Sequence, residues 1–182
     1  MKVKPAFIVD GYTEKNLIDK ICPNRPVRRT DLNGKSVTLD AIALRLASYI
    51  RLFNNKFYPI IIIIDKEDRT QNCSDMEDYI LEKLNLMGFG DQDIRISIAD
   101  KMIENWLIAD LKIFDPSTCP TEVDGINAVT QIKNKLGNYN KATDCLKLLN
   151  GFSVEKAVSN SRSFKSFTEK IKNIECDFIT RK

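Results

Sequence analysis

Histidine is absent from the 182-residue sequence, and this absence excludes more chemistry than any other feature of the composition. A Ser-His-Asp or Cys-His nucleophile needs an imidazole as its base, and many metal sites need one as a ligand. An enzyme built on this chain must therefore use carboxylates, lysine, tyrosine or a bound metal ion for its acid–base and electrostatic work.

The sequence also has little net charge, no closely spaced cysteine pair and no apolar run long enough to span a membrane. The formal net charge is only +3, so contacts with nucleic acid must come from local patches. The five cysteines are odd in number and form no CxxC unit, which predicts reduced thiols in a cytoplasmic protein rather than a zinc or disulfide framework. The short apolar run before Asp10 predicts neither a signal peptide nor a membrane span.

Strand-like and helix-like patterns alternate along the first 115 residues. Ile60–Ile64 is an unbroken β-branched run, typical of a central parallel strand covered on both faces. Shorter runs predict strands at Ala6–Val9 and Ile94–Ile98. The other predicted elements are helices at Thr13–Cys22, from an Asp40 N-cap to about Phe53, at about Ser74–Met87 and from about Glu104 to Leu111, a loop at 24–35 and a brief strand at Val37–Leu39.

This alternation predicts an α/β fold with a mostly parallel sheet flanked by helices. Pro116, Pro120 and Gly125 then mark a change, because only helical patterning follows residue 122. We therefore expect an α/β core over residues 1–115 and a helical C-terminal extension over residues 116–182, packed on the core.

Carboxylates stand where the predicted strands end. In open parallel sheets, ligands bind outside the carboxyl ends of the strands. Acids gathered there would repel one another unless a hard cation such as Mg²⁺ or Mn²⁺ lay between them. Each acid alone is as readily a helix cap or a solvated charge, and only their coincidence predicts a metal site. Its expected ligands are Asp10, Glu14, Asp65 and Glu67, with Asp100 and Glu104 near the next strand end.

Four short segments resemble those of Toprim domains. Val9-Asp10-Gly11-Tyr12-Thr13-Glu14 is similar to the (V/I)EGxTE opening of overcoming-lysogenization-defect nucleases and their small standalone relatives. Ile61 to Glu67 resembles the strand that ends in the Toprim DxD motif. Ile103 to Asp110 resembles the ExWLLAD segment of the small relatives, and Arg162-Ser163-Phe164 resembles their C-terminal (R/P)SF helix.

The resemblance implies a Rossmann-like Toprim fold that binds Mg²⁺ or Mn²⁺ and hydrolyses phosphodiester bonds in DNA or RNA. It also implies a role in bacterial defence against phage beside an ABC-type ATPase. Carried over by position, Asp10, Glu14, Asp65 and Glu67 are catalytic metal ligands, Glu104 is a later ligand and Lys101 offsets transition-state charge. Asp10 is one methylene shorter than the family Glu, and Glu67 one longer than the family Asp.

Basic residues suggest where a nucleic acid would bind. Arg25, Arg28 and Arg29 fall in the predicted loop after the first helix, where they suit phosphate contacts or a solvated loop equally well. Trp106 occupies an apolar helical position, which favours core packing over base stacking.

Two other functions are compatible with the same residues. A receiver-like phosphoacceptor would use Asp65 as the acceptor and Lys101 as its counter-charge. A catalytically weak Toprim module would act by binding a partner through apolar residues of the C-terminal helices. A homodimer is also left open.

Overall fold

A computed structural model of the chain describes residues 4–32, 37–174 and 176. Its sheet contains four parallel strands in the order β2-β1-β3-β4. The strands are β1 (Ala6–Val9), β2 (Val27–Arg29), β3 (Ile60–Asp65) and β4 (Ile94–Ala99). The predicted α/β class with a parallel sheet flanked by helices is therefore confirmed.

Helices connect the strands, and further helices follow the last strand. Those among the strands are α1 (Tyr12–Ile21), α2 (Leu39–Phe53) and α3 (Cys73–Leu84), the last continued by a short π-helical segment, Asn85–Phe89. Those that follow are α4 (Glu104–Leu107), α5 (Ala128–Leu136), α6 (Cys145–Leu148), α7 (Val154–Asn160) and α8 (Arg162–Lys170).

The sheet is buried on both faces, and the alternation of side chains along each strand decides which residue serves which face. Phe7 and Ile61 point into one apolar cluster, together with α1 and the C-terminal helices. Ile8 and Ile62 point into the other, against α2 and α3. Because β3 lies between two strands and two layers of helices, each of its isoleucines is buried. This explains why the run shows no polar alternation.

The outer edge of β4 is covered by side chains. The backbone N–H of Ile98 donates to Glu77 of α3 at 3.2 Å. Lys170 of α8 donates to the carbonyl of Ile96 and forms an ion pair with Glu77. These contacts satisfy groups that an exposed edge strand would leave unpaired. They also hold α8 against the sheet.

Asp124 organises the entry into α8. Its carboxylate accepts hydrogen bonds from the hydroxyls of Ser161 (2.7 Å) and Ser163 (2.9 Å) and from the Ser163 backbone N–H (2.8 Å). The Ser163 hydroxyl in turn accepts a hydrogen bond from the indole N–H of Trp106 at 2.7 Å. Trp106 is fully buried and stacked on Phe167, which confirms the prediction that it packs in the core. The Arg162-Ser163-Phe164 segment thus has a structural role here.

The C-terminal helices share one continuous apolar cluster with β1, β3 and α1. The predicted boundary at residue 115 stays a prediction, and residues 175 and 177–182 of the predicted extension lie outside the described residues. Within the described ranges, no helix is both long and apolar enough to cross a membrane.

Three local predictions are wrong. The predicted loop at 24–35 contains strand β2, which is too short to show a periodic pattern; residues 33–35 of that loop lie outside the described residues. Val37–Leu39 is not a strand. Thr38 is the N-cap of α2, and its hydroxyl accepts a hydrogen bond from the Ala41 N–H, so Asp40 lies in the first turn instead of capping it.

The prediction of reduced thiols throughout is also wrong. Cys22 is the C-cap residue of α1, and Cys176 follows α8; the two are joined by a disulfide with their Cα atoms 4.4 Å apart. They are 154 residues apart in the chain, so no local spacing indicates the pair. Cys73, Cys119 and Cys145 are free thiols.

The disulfide determines how many thiols react with an alkylating agent. Denatured without reductant, the chain should take up three alkyl groups, and five after reduction. Intact-mass spectrometry counts them, and peptide mapping should place the reduction-dependent pair at Cys22 and Cys176. Five labels before reduction, in protein purified without reductant, would contradict the bond.

Replacing Asp124 with Ala should destabilise the protein. The change leaves the hydroxyls of Ser161 and Ser163 and the backbone N–H of Ser163 without their carboxylate acceptor, which we expect to lower the free energy of unfolding by about 2–3 kcal/mol. Urea denaturation measures the change. Asp115→Ala, which removes only an exposed ion pair with Lys135, is the matched control and should have little effect; equal losses in the two variants would contradict the assignment.

Candidate metal centre

The carboxyl ends of β1 and β3 open into a cavity of about 360 Å³. Asp10, Glu14, Asp65 and Glu67 all line it, so the structure brings these four predicted residues to one place. Residues 140–142 form part of the wall, which means that the C-terminal extension completes the cavity.

Asp10 holds the end of the neighbouring strand in place. Its Oδ1 accepts hydrogen bonds from the Leu32 backbone N–H at 2.6 Å and from the Thr30 hydroxyl at 3.2 Å. Burial raises the pKa of Asp10 despite these hydrogen bonds, and the charges of Glu67 and Asp31 add to the effect. Asp10 therefore has a structural role beside any role in binding.

Glu14 is turned back toward the end of β1 by a capping interaction. It is the third residue of α1, and its Oε2 accepts a hydrogen bond from the Gly11 N–H at 3.1 Å. A β-carbon at residue 11 would lie 3.1 Å from the same oxygen, so a larger residue there would require the Glu14 carboxylate to shift. Burial, together with the charges of Asp10 and Glu104, raises the pKa of Glu14 to about 7.

Asp65 is the last residue of β3, and its Oδ1 is buried without a hydrogen-bond partner. Burial and then the charges of Glu14 and Glu104 raise its pKa far above the usual range. Glu67, two residues on, has a left-handed backbone (φ 58°), and its N–H donates to the Lys101 carbonyl at 2.8 Å. Pairing between the chain segments after β3 and β4 therefore determines where Glu67 points.

Glu104 is fully buried beside the cavity but does not line it. Its Oε1 contacts the Lys141 ammonium at 3.3 Å and accepts hydrogen bonds from the hydroxyls of Thr13 (3.3 Å) and Tyr139 (3.5 Å). Its Oε2 has no hydrogen-bond partner among the described residues. Two carboxylate oxygens of this cluster, on Asp65 and Glu104, are thus buried and unpaired, which is costly in a folded protein.

Lys141, and not Lys101, brings an ammonium group to the cavity. Lys101 contributes its backbone carbonyl to Glu67, and its side chain does not line the cavity. Its catalytic role stays a prediction. Lys141 lines the cavity and forms an ion pair with Glu104. Sequence reasoning missed Lys141 because it lies in an irregular polar segment 37 residues after Glu104, and only the tertiary fold joins them.

The predicted basic loop is not a single cluster at the cavity. Arg28 and Arg29 belong to strand β2, and Arg28 is exposed. Arg29 forms an ion pair with Asp31 and stacks on the Tyr12 ring, and both of these neighbours line the cavity. Arg25 is partly buried and, like Arg28, does not line it. Nucleic-acid binding by the three arginines stays a prediction.

The side chains as they stand do not form a metal cage. Over the described residues, no group of three or more carboxylate or thiol side chains is arranged so that it could hold a metal ion. The Oδ1 of Asp10, the Oε2 of Glu14 and the Oε1 of Glu104 already have hydrogen-bonding partners. The donors nevertheless fit a hard cation chemically, because they are all oxygens and two of them are buried without partners.

Similarity to known proteins does not identify the function of this cavity. No family model, no curated protein and no solved structure matches the chain significantly. The class defined by fold and site is an α/β protein with an acidic cavity at the carboxyl edge of a parallel sheet. Membership of the Toprim family stays a prediction from the four sequence segments.

The raised pKa of Glu14 should make the metal-free protein less stable as the pH rises. Its pKa is about 7 in the folded protein against 4.5 for an unperturbed Glu, so the folded state binds more protons between these values and loses stability as Glu14 ionises. Glu14→Gln imitates the protonated form and should remove up to about 3 kcal/mol of this loss. Urea denaturation in EDTA at pH 5 and pH 8 measures it.

The control for this experiment is Glu155→Gln, on the exposed surface of α7. It should keep the pH dependence of the wild type. If Glu14→Gln kept that dependence as well, Glu14 would not titrate near neutral pH in the folded chain.

Proposed function

We propose that this protein is a metal-dependent nuclease that hydrolyses phosphodiester bonds in DNA or RNA. The observation that carries the proposal is the pair of buried, unpaired carboxylate oxygens on Asp65 and Glu104 within an acidic cluster beside a cavity. An ordinary structural acid in a protein core has its oxygens hydrogen-bonded, so these two need another explanation.

The electrostatics of the cluster support a cation. The pKa values of Asp10, Glu14 and Asp65 are all raised, with burial as the largest cause and neighbouring acids adding to it. Lys141 forms an ion pair with Glu104, and one ammonium group cannot balance the whole cluster. A divalent cation would offset the repulsion and supply partners for the unpaired oxygens.

The proposed ligands of Mg²⁺ or Mn²⁺ are Asp10, Glu14, Asp65, Glu67 and Glu104. Because several of their oxygens hold other partners, their side chains would have to turn to bind a metal. When bound, such a metal lowers the pKa of water and offsets charge on a phosphate. Two backbone contacts hold acids in position. The Gly11 N–H donates to the Glu14 carboxylate, and the Lys101 carbonyl accepts a hydrogen bond from the Glu67 N–H.

Lys141 takes the part that the sequence assigned to Lys101. Its side chain is more than half exposed, and its ammonium is anchored by the buried Glu104 carboxylate. From this position it can contact a phosphate that enters the cavity and offset the charge that develops during hydrolysis.

The receiver-like alternative has less support from the residues that line the cavity. A receiver needs its lysine beside the acceptor aspartate, and Lys101 does not line the cavity that contains Asp65. The ATPase partner, the role against phage and the partner-binding module rest on the resemblance alone and stay predictions.

Asp65→Asn should abolish metal binding and cleavage together. The amide keeps an oxygen but loses the negative charge that attracts the cation, so we expect the metal-dependent rise in melting temperature to disappear and cleavage to fall at least about a hundredfold. Thermal melts with and without Mg²⁺ or Mn²⁺ measure binding, and gel assays on single-stranded DNA, duplex DNA and RNA measure cleavage.

Three controls make the experiment specific. Asp115→Asn, an exposed surface change, should alter neither measurement. Lys141→Ala should slow cleavage, whereas Lys101→Ala should not, because its backbone makes the relevant contact. Metal binding by the wild type without cleavage of any substrate would contradict the nuclease and leave the metal site standing; absence of both would contradict the whole proposal.

A further inference from the structure

An aromatic ring stands at the rim of the acidic cavity. Tyr12 is the first residue of α1, lines the cavity and is 57% exposed. The Arg29 guanidinium lies over the ring, 3.5 Å from its centroid. Arg29 is held by Asp31 at 3.0 Å, and Asp31 also lines the cavity. These three side chains, Tyr12, Arg29 and Asp31, are called the rim triad below.

The Tyr12 side chain of the rim triad is partly exposed to solvent. Exposed single apolar residues are common, but this ring is ordered by a cation that is itself anchored. Arg29 covers one face of the ring, and Tyr12 as a whole is more than half exposed. A ring already held in place loses little conformational entropy when a planar ligand stacks on it.

We propose that Tyr12 stacks on an unpaired nucleobase whose neighbouring phosphate lies in the carboxylate cavity. This inference rests on the proposed function and defines its substrate class as single-stranded nucleic acid, or a strand end or loop whose bases are unpaired. The chemistry is that of an aromatic platform next to a phosphate site, which binds bases without reading their sequence.

A base within a duplex does not suit this platform. Both of its faces are covered by neighbouring base pairs, so stacking on Tyr12 requires the base to leave the helix, which costs free energy. An unpaired base has an open face and avoids this cost. The rim triad also places Arg29 beside the ring, where a guanidinium can meet the strand's backbone.

The chain contains a matched control for the ring. Tyr49 of α2 also has an arginine over it, Arg45 at 5.1 Å from the ring centroid. Tyr49 packs against the apolar cluster on the opposite face of the sheet and does not line the cavity. Removing it changes the same chemistry at a place where the proposal predicts no binding.

The test uses an oligonucleotide that contains 2-aminopurine, whose fluorescence falls when the base stacks. Phosphorothioate linkages slow its cleavage, so binding in Mg²⁺ is measured apart from reaction. The single strand should bind the wild type with quenching. Tyr12→Leu should lose the quenching and weaken binding about tenfold, a typical value for one lost stack. Tyr12→Phe and Tyr49→Leu should behave as the wild type.

Four results would overturn the inference. The wild type could bind the single strand and its duplex with equal affinity, or bind no oligonucleotide at all. Tyr12→Leu could leave binding and quenching unchanged, or Tyr49→Leu could lose as much binding as Tyr12→Leu. A mononucleotide that binds as tightly as the oligonucleotide would assign the platform to free nucleotides instead of a strand. The nuclease proposal can fail separately from the stacking proposal. If the base stacks but no substrate is cleaved, only the nuclease is contradicted. If the wild type cleaves without quenching and Tyr12→Leu cleaves equally well, only the stacking is contradicted.

Discussion

Burial of β3 on both faces is the constraint on which the rest of the structure depends. A strand whose first five residues are all isoleucine cannot face water on either side, so it lies between two neighbouring strands with helices above and below. The chain meets this need with α1 and the C-terminal helices on one face and with α2 and α3 on the other. Once β3 is central, its carboxyl end lies at the middle of the sheet edge, and Asp65 is the first residue to leave the apolar layer.

The acidic cavity follows from that position. Asp10 leaves β1 at the same edge, and the capping contact with Gly11 turns Glu14 toward it. Glu104 lies fully buried nearby, where it raises the pKa values of Glu14 and Asp65. The fold thus gathers like charges where water is scarce, an arrangement that is unfavourable by itself and that functional sites commonly contain. The C-terminal extension relieves it in part by bringing Lys141 to Glu104.

The same residues show why sequence patterns predicted some elements and not others. The central strand, the helices after it and the acids at the strand ends were predictable because each depends on local periodicity or on one strand–turn junction. Strand β2 was not, since three residues with two arginines carry no period and are held by pairing with β1. The contacts of Asp124 with Ser161 and Ser163 at the start of α8 were not predictable either, because these partners lie almost 40 residues further along the chain.

The sequence by itself determined the chemistry available to this protein: no imidazole, acids after apolar strands, and a central strand that demands cover on both faces. The tertiary structure decided which of those groups meet. It placed Lys141 rather than Lys101 at the acids, joined Cys22 to Cys176, and set Arg29 on Tyr12 at the cavity rim. The physical reason is range, because composition and periodicity report on neighbours along the chain, whereas ion pairs, disulfides and ring contacts form between residues that only the packing of the sheet and its helices brings together.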